Sequence, residues 1–436
     1  MAFFNTVALL NTRVAVTLLA LISVQAVALP QYDEDQHLGV ASCASSVCHG
    51  KSKAVEDKNV MLNEYRIWST EDRHARAYKT LLSSESKRIA KNLGLPSAHT
   101  AKICLDCHTD NVAKEQRGPK FQINDGVACE ACHGGSQQWI ESHTEEGVTH
   151  QQNLAKNMYP TEDGVARAKL CISCHYGTSN KMASHEIMGA GHPRLSFELE
   201  TFSANQPAHF TVDADYKTRK PYISGFKLWV VGQVEMLKSS LNLMQEKLVN
   251  SEAMVPELFF YDCHACHHAM SDTRWQPTSA KKGMPPGAVR LNDASAMMLL
   301  SLLDVIAPEQ HKALKAALIA LHKASLVNRP ALNAAIIKLQ ALVLELDGQL
   351  VAKQYTDQQL KAVRDNLLAQ ASLGEYRDFV TAEQAFLAVE SITISLQQGA
   401  ALETQLNLLY GSLEDEALFS PLKFQRSANN IKKAFK

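Results

Sequence analysis

The chain has no excess of charge of either sign: 44 Lys and Arg stand against 45 Asp and Glu. That balance implies no polyanionic partner. No basic run with interleaved aromatics is present, so nucleic acid finds no support. No stretch is of low complexity. Past residue 24 no run is apolar enough to cross a bilayer, which leaves the mature chain without a membrane span. Cysteine is missing everywhere except in five short stretches, and there is none beyond Cys266.

Those five stretches share one pattern. Cys104-x-x-Cys107-His108, Cys129-x-x-Cys132-His133, Cys171-x-x-Cys174-His175 and Cys263-x-x-Cys266-His267 repeat it, and Cys43 to Cys48-His49 is a variant with a wider gap. Two cysteines followed directly by histidine form the attachment signal of c-type haem. On one helical turn the thiols lie on neighbouring faces, so each can form a thioether to the same porphyrin. The adjoining imidazole then faces the iron as proximal ligand. Small Ala44, Ser45 and Ser46 allow the wide first motif to loop out. Structural zinc also uses paired cysteines, but zinc ribbons need no histidine after each second cysteine. Ten cysteines in an exported chain could also form five disulfides. The recurrence of the histidine favours five covalently bound haem c groups. Their proximal ligands are His49, His108, His133, His175 and His267.

At the N-terminus Arg13 precedes an apolar run from Val14 to Val24, and Ala26-Val27-Ala28 supplies a small-x-small cleavage site. This reads as a signal peptide over residues 1–28. The mature protein is expected to be exported, periplasmic or at the outer surface.

Helices are expected over 59–82, over 84–93 with a stop at Gly94 and Pro96, and over 222–249. The last carries an apolar stripe of Leu228, Val231, Val234, Leu237, Leu241 and Met244. Residues 281–287 read as a hinge. They divide a haem domain over 29–283 from a leucine- and alanine-rich helical domain over 288–436. The fold class is mainly α: a loop-rich multihaem core with short helices, followed by an all-α bundle of roughly five or six helices. Pro330 suits a first turn, and Thr356 with Gln359 and Thr381 with Gln384 read as capping boxes. Leu314, Leu318 and Leu321 form one stripe, and Ile336, Leu339, Val343 and Leu346 another. These stripes serve either as plain core or as a dimerisation or docking surface, in which case a homo-oligomer forms through these helices.

Of 17 histidines, five belong to the attachment motifs as proximal ligands. A low-spin carrier needs a sixth ligand on each iron. The remaining histidines concentrate in the haem region, and His74, His99, His143, His185 and His192 are the candidate distal ligands. His150, His209 and His268 are reserves, and His37 is a lesser one. His264, inside an attachment motif, is expected to face solvent. His311 and His322 read as ordinary helix residues.

Three stretches resemble a known family. They are the first haem site followed by Trp68 and His74-Ala75-Arg76-Ala77, then Cys129 to Gly134 with a downstream histidine, then Gly191-His192-Pro193. Over about residues 38 to 270 the chain resembles the multihaem cytochromes c typified by the small tetrahaem carrier that accepts electrons from hydroxylamine oxidoreductase. The resemblance implies a mostly helical, loop-rich core. It implies a distal role for the histidine before Ala-Arg-Ala, here His74. It implies the same for the one downstream of the third motif, His143, with His150 as rival. Five sites, an expanded first motif and a large helical C-terminus depart from that family.

Three functions are open at this level. The first is an electron carrier between donor and acceptor redox proteins. The second is an oxidoreductase with one open haem acting on a small nitrogen or sulfur compound, with Arg73, Arg76 or Arg194 binding an anion. The third is a scaffolding subunit. Pentahaem nitrite reductases typically carry lysine in place of one attachment histidine, and none of the five motifs here ends in lysine.

Overall fold

Local sequence breaks the first half of the chain into short helices, and the computed structural model describes residues 28–55, 60–267 and 278–434. Eighteen α-helices and several single 3-10 turns occur among the described residues, with only isolated β-bridges between them. The chain is therefore mainly α. The signal peptide over 1–28 falls almost wholly outside the described residues, as does His268. Among the described residues no helix is long and apolar enough to cross a membrane.

The helix expected over 59–82 is not continuous. It runs Glu64–Thr70, stops, and resumes as Arg73–Arg76 and Ala77–Thr80. Asp72 is the cause. Its carboxylate accepts from the His74 backbone N–H at 2.9 Å and from His74 Nδ1 at 2.9 Å, a local bond that competes with the helix ladder. Ser84–Asn92 forms as expected and ends before Gly94, whose φ is +67°.

Helix Gly225–Met244, capped by Ser224, is the axis of the molecule. Its apolar stripe is buried, and Trp229 and Val230 on other faces are fully buried too. One side packs on helices Gly164–His175 and Leu199–Asn205, through Leu228 and Val231 against Ala168, Ile172 and Leu199. The other packs on Ala294–Ile306, Arg329–Ala352 and Phe379–Ser395. One apolar core runs from Phe226 to Ile431. The composition change at Gly283 is thus not a break in packing.

Seven helices follow residue 288: Ala294–Ile306, Pro308–Ala324, Arg329–Ala352, Asp357–Leu373, Phe379–Ser395, Gly399–Tyr410 and Pro421–Ala434. Both leucine stripes lie in the core. The Thr356–Gln359 capping box is present and Pro330 sits in a first turn. Thr381 and Gln384 do not form a box. Asp378 caps that helix instead, and Gln384 reaches inward to Gln233 and the Phe197 carbonyl.

A buried charge cluster ties the 281–287 stretch to both halves. Lys281 Nζ lies 3.5 Å from both Asp293 and Asp378, His322 Nε2 is 2.8 Å from Asp293, and Arg290 pairs with Asp262. Burial alone would raise the Asp293 carboxyl, but Lys281 and His322 hold it well below the usual range. Removing one member strands its partners without water. Lys281→Met is expected to destabilise the fold by about 3–5 kcal/mol in urea unfolding. Asp293 is depressed in the folded state. Its contribution is therefore present above the unfolded aspartate value of 3.8 and fades as pH falls below it. Unfolding curves at descending pH check that loss.

Candidate haem-binding sites

Three attachment motifs end a helix, and the last opens a short turn. Lys102–His108, Cys129–His133 and Gly164–His175 each finish on the motif histidine, and Cys263–Ala265 is a short 3-10 turn. In the last motif the His267 N–H bonds the Cys263 carbonyl at 2.8 Å. The wide first motif closes the same bond: His49 N–H reaches the Cys43 carbonyl at 3.1 Å. The two extra residues bulge outward without changing the relation of first cysteine to histidine. Gly50 permits the bulge, because a Cβ there would run into the Ala44 carbonyl.

All five attachment histidines face a second histidine. Ring centroids lie 6.2 Å apart for His49 and His143, 6.1 Å for His175 and His74, and 6.4 Å for His108 and His192. They lie 6.3 Å apart for His133 and His209, and 6.3 Å for His267 and His185. Two imidazoles bonded to opposite sides of one metal, each at about 2.0 Å with its nitrogen about 1.1 Å from the ring centre, have centroids about 6.2 Å apart. These separations leave room for an iron between the rings of each pair.

Ring hydrogen bonds point the same way. Nδ1 is bonded to Glu64 in His49 (2.9 Å), to Asp72 in His74 (2.9 Å) and to the Ala77 carbonyl in His108 (3.1 Å). In His143 it is bonded to the Trp139 carbonyl (3.3 Å), and in His192 to the Pro193 carbonyl (2.8 Å). Such a bond fixes the tautomer and leaves Nε2 for a metal. Burial pushes His133 down to about 3 and His175 down to about 4, so both rings are neutral at pH 7, the coordinating form. Burial alone would raise Asp72, yet bonds from His74 and Gln206 hold it at about 2, an ionised acceptor behind the ring.

Four other histidines spend Nε2 on the protein. His37 uses both nitrogens, on Asp110 (2.7 Å) and the Pro30 carbonyl (3.2 Å). His150 pairs with Glu162, and His322 with Asp293. His264 is buried, not solvent-facing: it lies between Phe379 and Phe419 with Nε2 3.0 Å from the Glu416 carbonyl, because the C-terminal helices cover that turn. His99 stands edge-on to Tyr78 and faces no attachment histidine. His209, a reserve, holds the place opposite His133. Four of the five candidate distal histidines therefore lie opposite an attachment histidine. His99 does not, since its short turn at residues 97–100 packs back on the Tyr78 helix.

The motifs are neighbours in space. The Cys43 thiol touches Cys129, and Cys107 touches Cys174. A small pocket bordered by Cys263, Met188 and His175 lies beside the last motif. Among the described residues no three His, Cys, Asp or Glu side chains converge on one point, so tetrahedral zinc has no ligand set there. Arg194 is tied to Glu383 and Glu416, and Arg73 is exposed, so neither converges on a ring pair.

Residues 42–134 match the model of the family described as cytochrome c554 and c-prime. That stretch holds the first three attachment motifs, and the match supports a c-type cytochrome, an electron-transport protein with covalently bound haem. No curated protein and no solved structure matches the chain.

The matched stretch is braced by two buried groups. Glu130 accepts backbone N–H bonds from Leu38 and Gly39 at 2.7 Å and from Ser136 at 2.9 Å, fastening the first motif to the third. Burial alone would lower His37, but Asp110 and Asp33 outweigh it and raise the imidazole to about 10. A raised value means stability that is full below pH 6.5 and is lost as pH climbs through 10. His37→Gln is expected to cost about 3 kcal/mol at neutral pH. Thermal unfolding across pH 6 to 11 should show that deficit closing at the alkaline end.

Proposed function

We propose that this chain is an exported five-haem c-type cytochrome that passes electrons, with every iron held between two histidines. The pairs are His49 with His143, His108 with His192, His133 with His209, His175 with His74, and His267 with His185. The observation that carries the reading is the recurrence of one ring separation, 6.1 to 6.4 Å, at all five attachment histidines. Bound haem supplies one-electron redox chemistry at iron. The protein's part would be to tether the group through the cysteine pairs and to hold two imidazoles toward its iron. Two imidazoles per site favour low potentials relative to histidine–methionine ligation.

The same pairing weighs against the enzyme reading, which needs one iron with a position left for substrate. Each attachment histidine already has a facing partner. Export rests on the Arg13, apolar run and Ala26-Val27-Ala28 pattern.

A pyridine haemochrome assay on purified protein is expected to return five haems per chain, and four would remove the Cys43–Cys48 site. The reduced protein is expected to leave carbon monoxide unbound. His209→Ala should open one site in five, seen as a high-spin fraction and carbon monoxide binding of about one fifth. His99→Ala should leave the spectrum unchanged. The reverse result would exchange the roles of these two residues.

A further inference from the structure

The balanced net charge conceals an uneven layout. No Lys or Arg occurs between Arg194 and Lys217, nor between Arg377 and Lys423, and the second stretch alone carries seven Asp and Glu. The fold brings these stretches together. Helix Leu199–Asn205 packs on Phe379–Ser395. Arg194 bridges the join, with Nη2 3.1 Å from Glu383, Nε 2.9 Å from Glu416, and its guanidinium 5.3 Å from the Phe379 ring centre.

Along the join runs an open groove. Phe202, Phe386, Leu387 and Tyr410 form its apolar walls, and Glu383, Glu414 and Glu416 its rim. Arg194 occupies Glu383 and Glu416. Glu414 and its neighbour Asp415 are exposed, and so is Glu403, two helical turns from Tyr410 on the same face. Tyr410 is 50% exposed and Leu418 79%. At the inner end Phe202 stands edge-on to the His175 ring at 5.3 Å. An acid-rimmed apolar surface therefore ends against an attachment histidine. Arg194 also lines the cavity beside Cys263, so the groove adjoins a second site.

We propose that this groove is the docking site of a redox partner protein whose electron-exchanging face is rimmed with lysine, a proposal that rests on the electron-carrier reading. Exposed carboxylates steer a basic face toward the groove. The small apolar floor gives a brief contact of the kind transient redox complexes make. Salt weakens the encounter, since the rim charges are exposed.

The test uses the haem-loaded protein and, as probe, a small basic monohaem cytochrome c, with and without acetylation of its lysines. Titration calorimetry is run at about 10 mM and about 300 mM salt. Binding is expected at low salt, with loss at high salt and with the acetylated probe. The Glu403→Lys, Glu414→Lys, Asp415→Lys variant is expected to weaken binding about tenfold or more. Lys87→Glu with Lys91→Glu, on helix Ser84–Asn92 outside the groove, is expected to leave it unchanged. Should the triple reversal alter the far-UV spectrum, Glu414→Gln with Asp415→Asn replaces it and is expected to weaken binding in the same direction. No binding at low salt, an unaffected groove variant, or equal weakening in both variants overturns the proposal. Haem counts on the same samples separate the two readings. Five haems without groove-dependent binding overturn the docking site alone, whereas missing haem counts against the carrier.

Discussion

Pairs of imidazole rings held about 6.3 Å apart set the constraint on which the rest of this molecule depends. Here the same gap recurs at five histidine pairs, always with one ring from an attachment motif. The second rings come from places scattered between His74 and His209. Holding such pairs fixes the route of the chain: each facing histidine comes from a different segment, and short helices carry three of the motifs. That is why the described residues up to 220 are built of short helices and turns.

The helical remainder answers a different need. A region built around loops and ligands has little side-chain core of its own, and its apolar clusters are small. Helix Gly225–Met244 extends the large core of the C-terminal helices up to the attachment helix Gly164–His175. The last motif is held from the same side. Asp262 caps its turn and pairs with Arg290, while His264 is clasped between Phe379 and Phe419. The buried Lys281 cluster sits behind it. The C-terminal helices are thus part of the frame of the last motif as well as its neighbours.

Much of this was legible in the residues. Covalent attachment demands cysteines and histidine at fixed local spacing, so all five motifs stood out, including the widened first one. Helix Ser84–Asn92, the apolar stripe of Gly225–Met244 and the stripes beyond Pro330 follow from periodicity and stop signals. What depends on distant contact was not legible. His99 and His209 both sit in short turns near aromatics, and only the fold tells which ring reaches His133. His264 looked exposed because its burial comes from Phe379 and Phe419, more than a hundred positions later. The break at Asp72 was hidden because a carboxylate two residues before a histidine reads as helix surface until the ring turns back onto it. Charge balance misled in the same way: acids and bases cancel along the chain but not across its faces.

Near-infrared magnetic circular dichroism of the oxidised protein most directly addresses the ligand pairs, because its charge-transfer bands report the axial donors of each ferric haem. The account predicts the low-spin signature of two imidazoles alone, with an intensity matching five haems per chain. A histidine–methionine band, or a high-spin band in the protein as isolated, would contradict it.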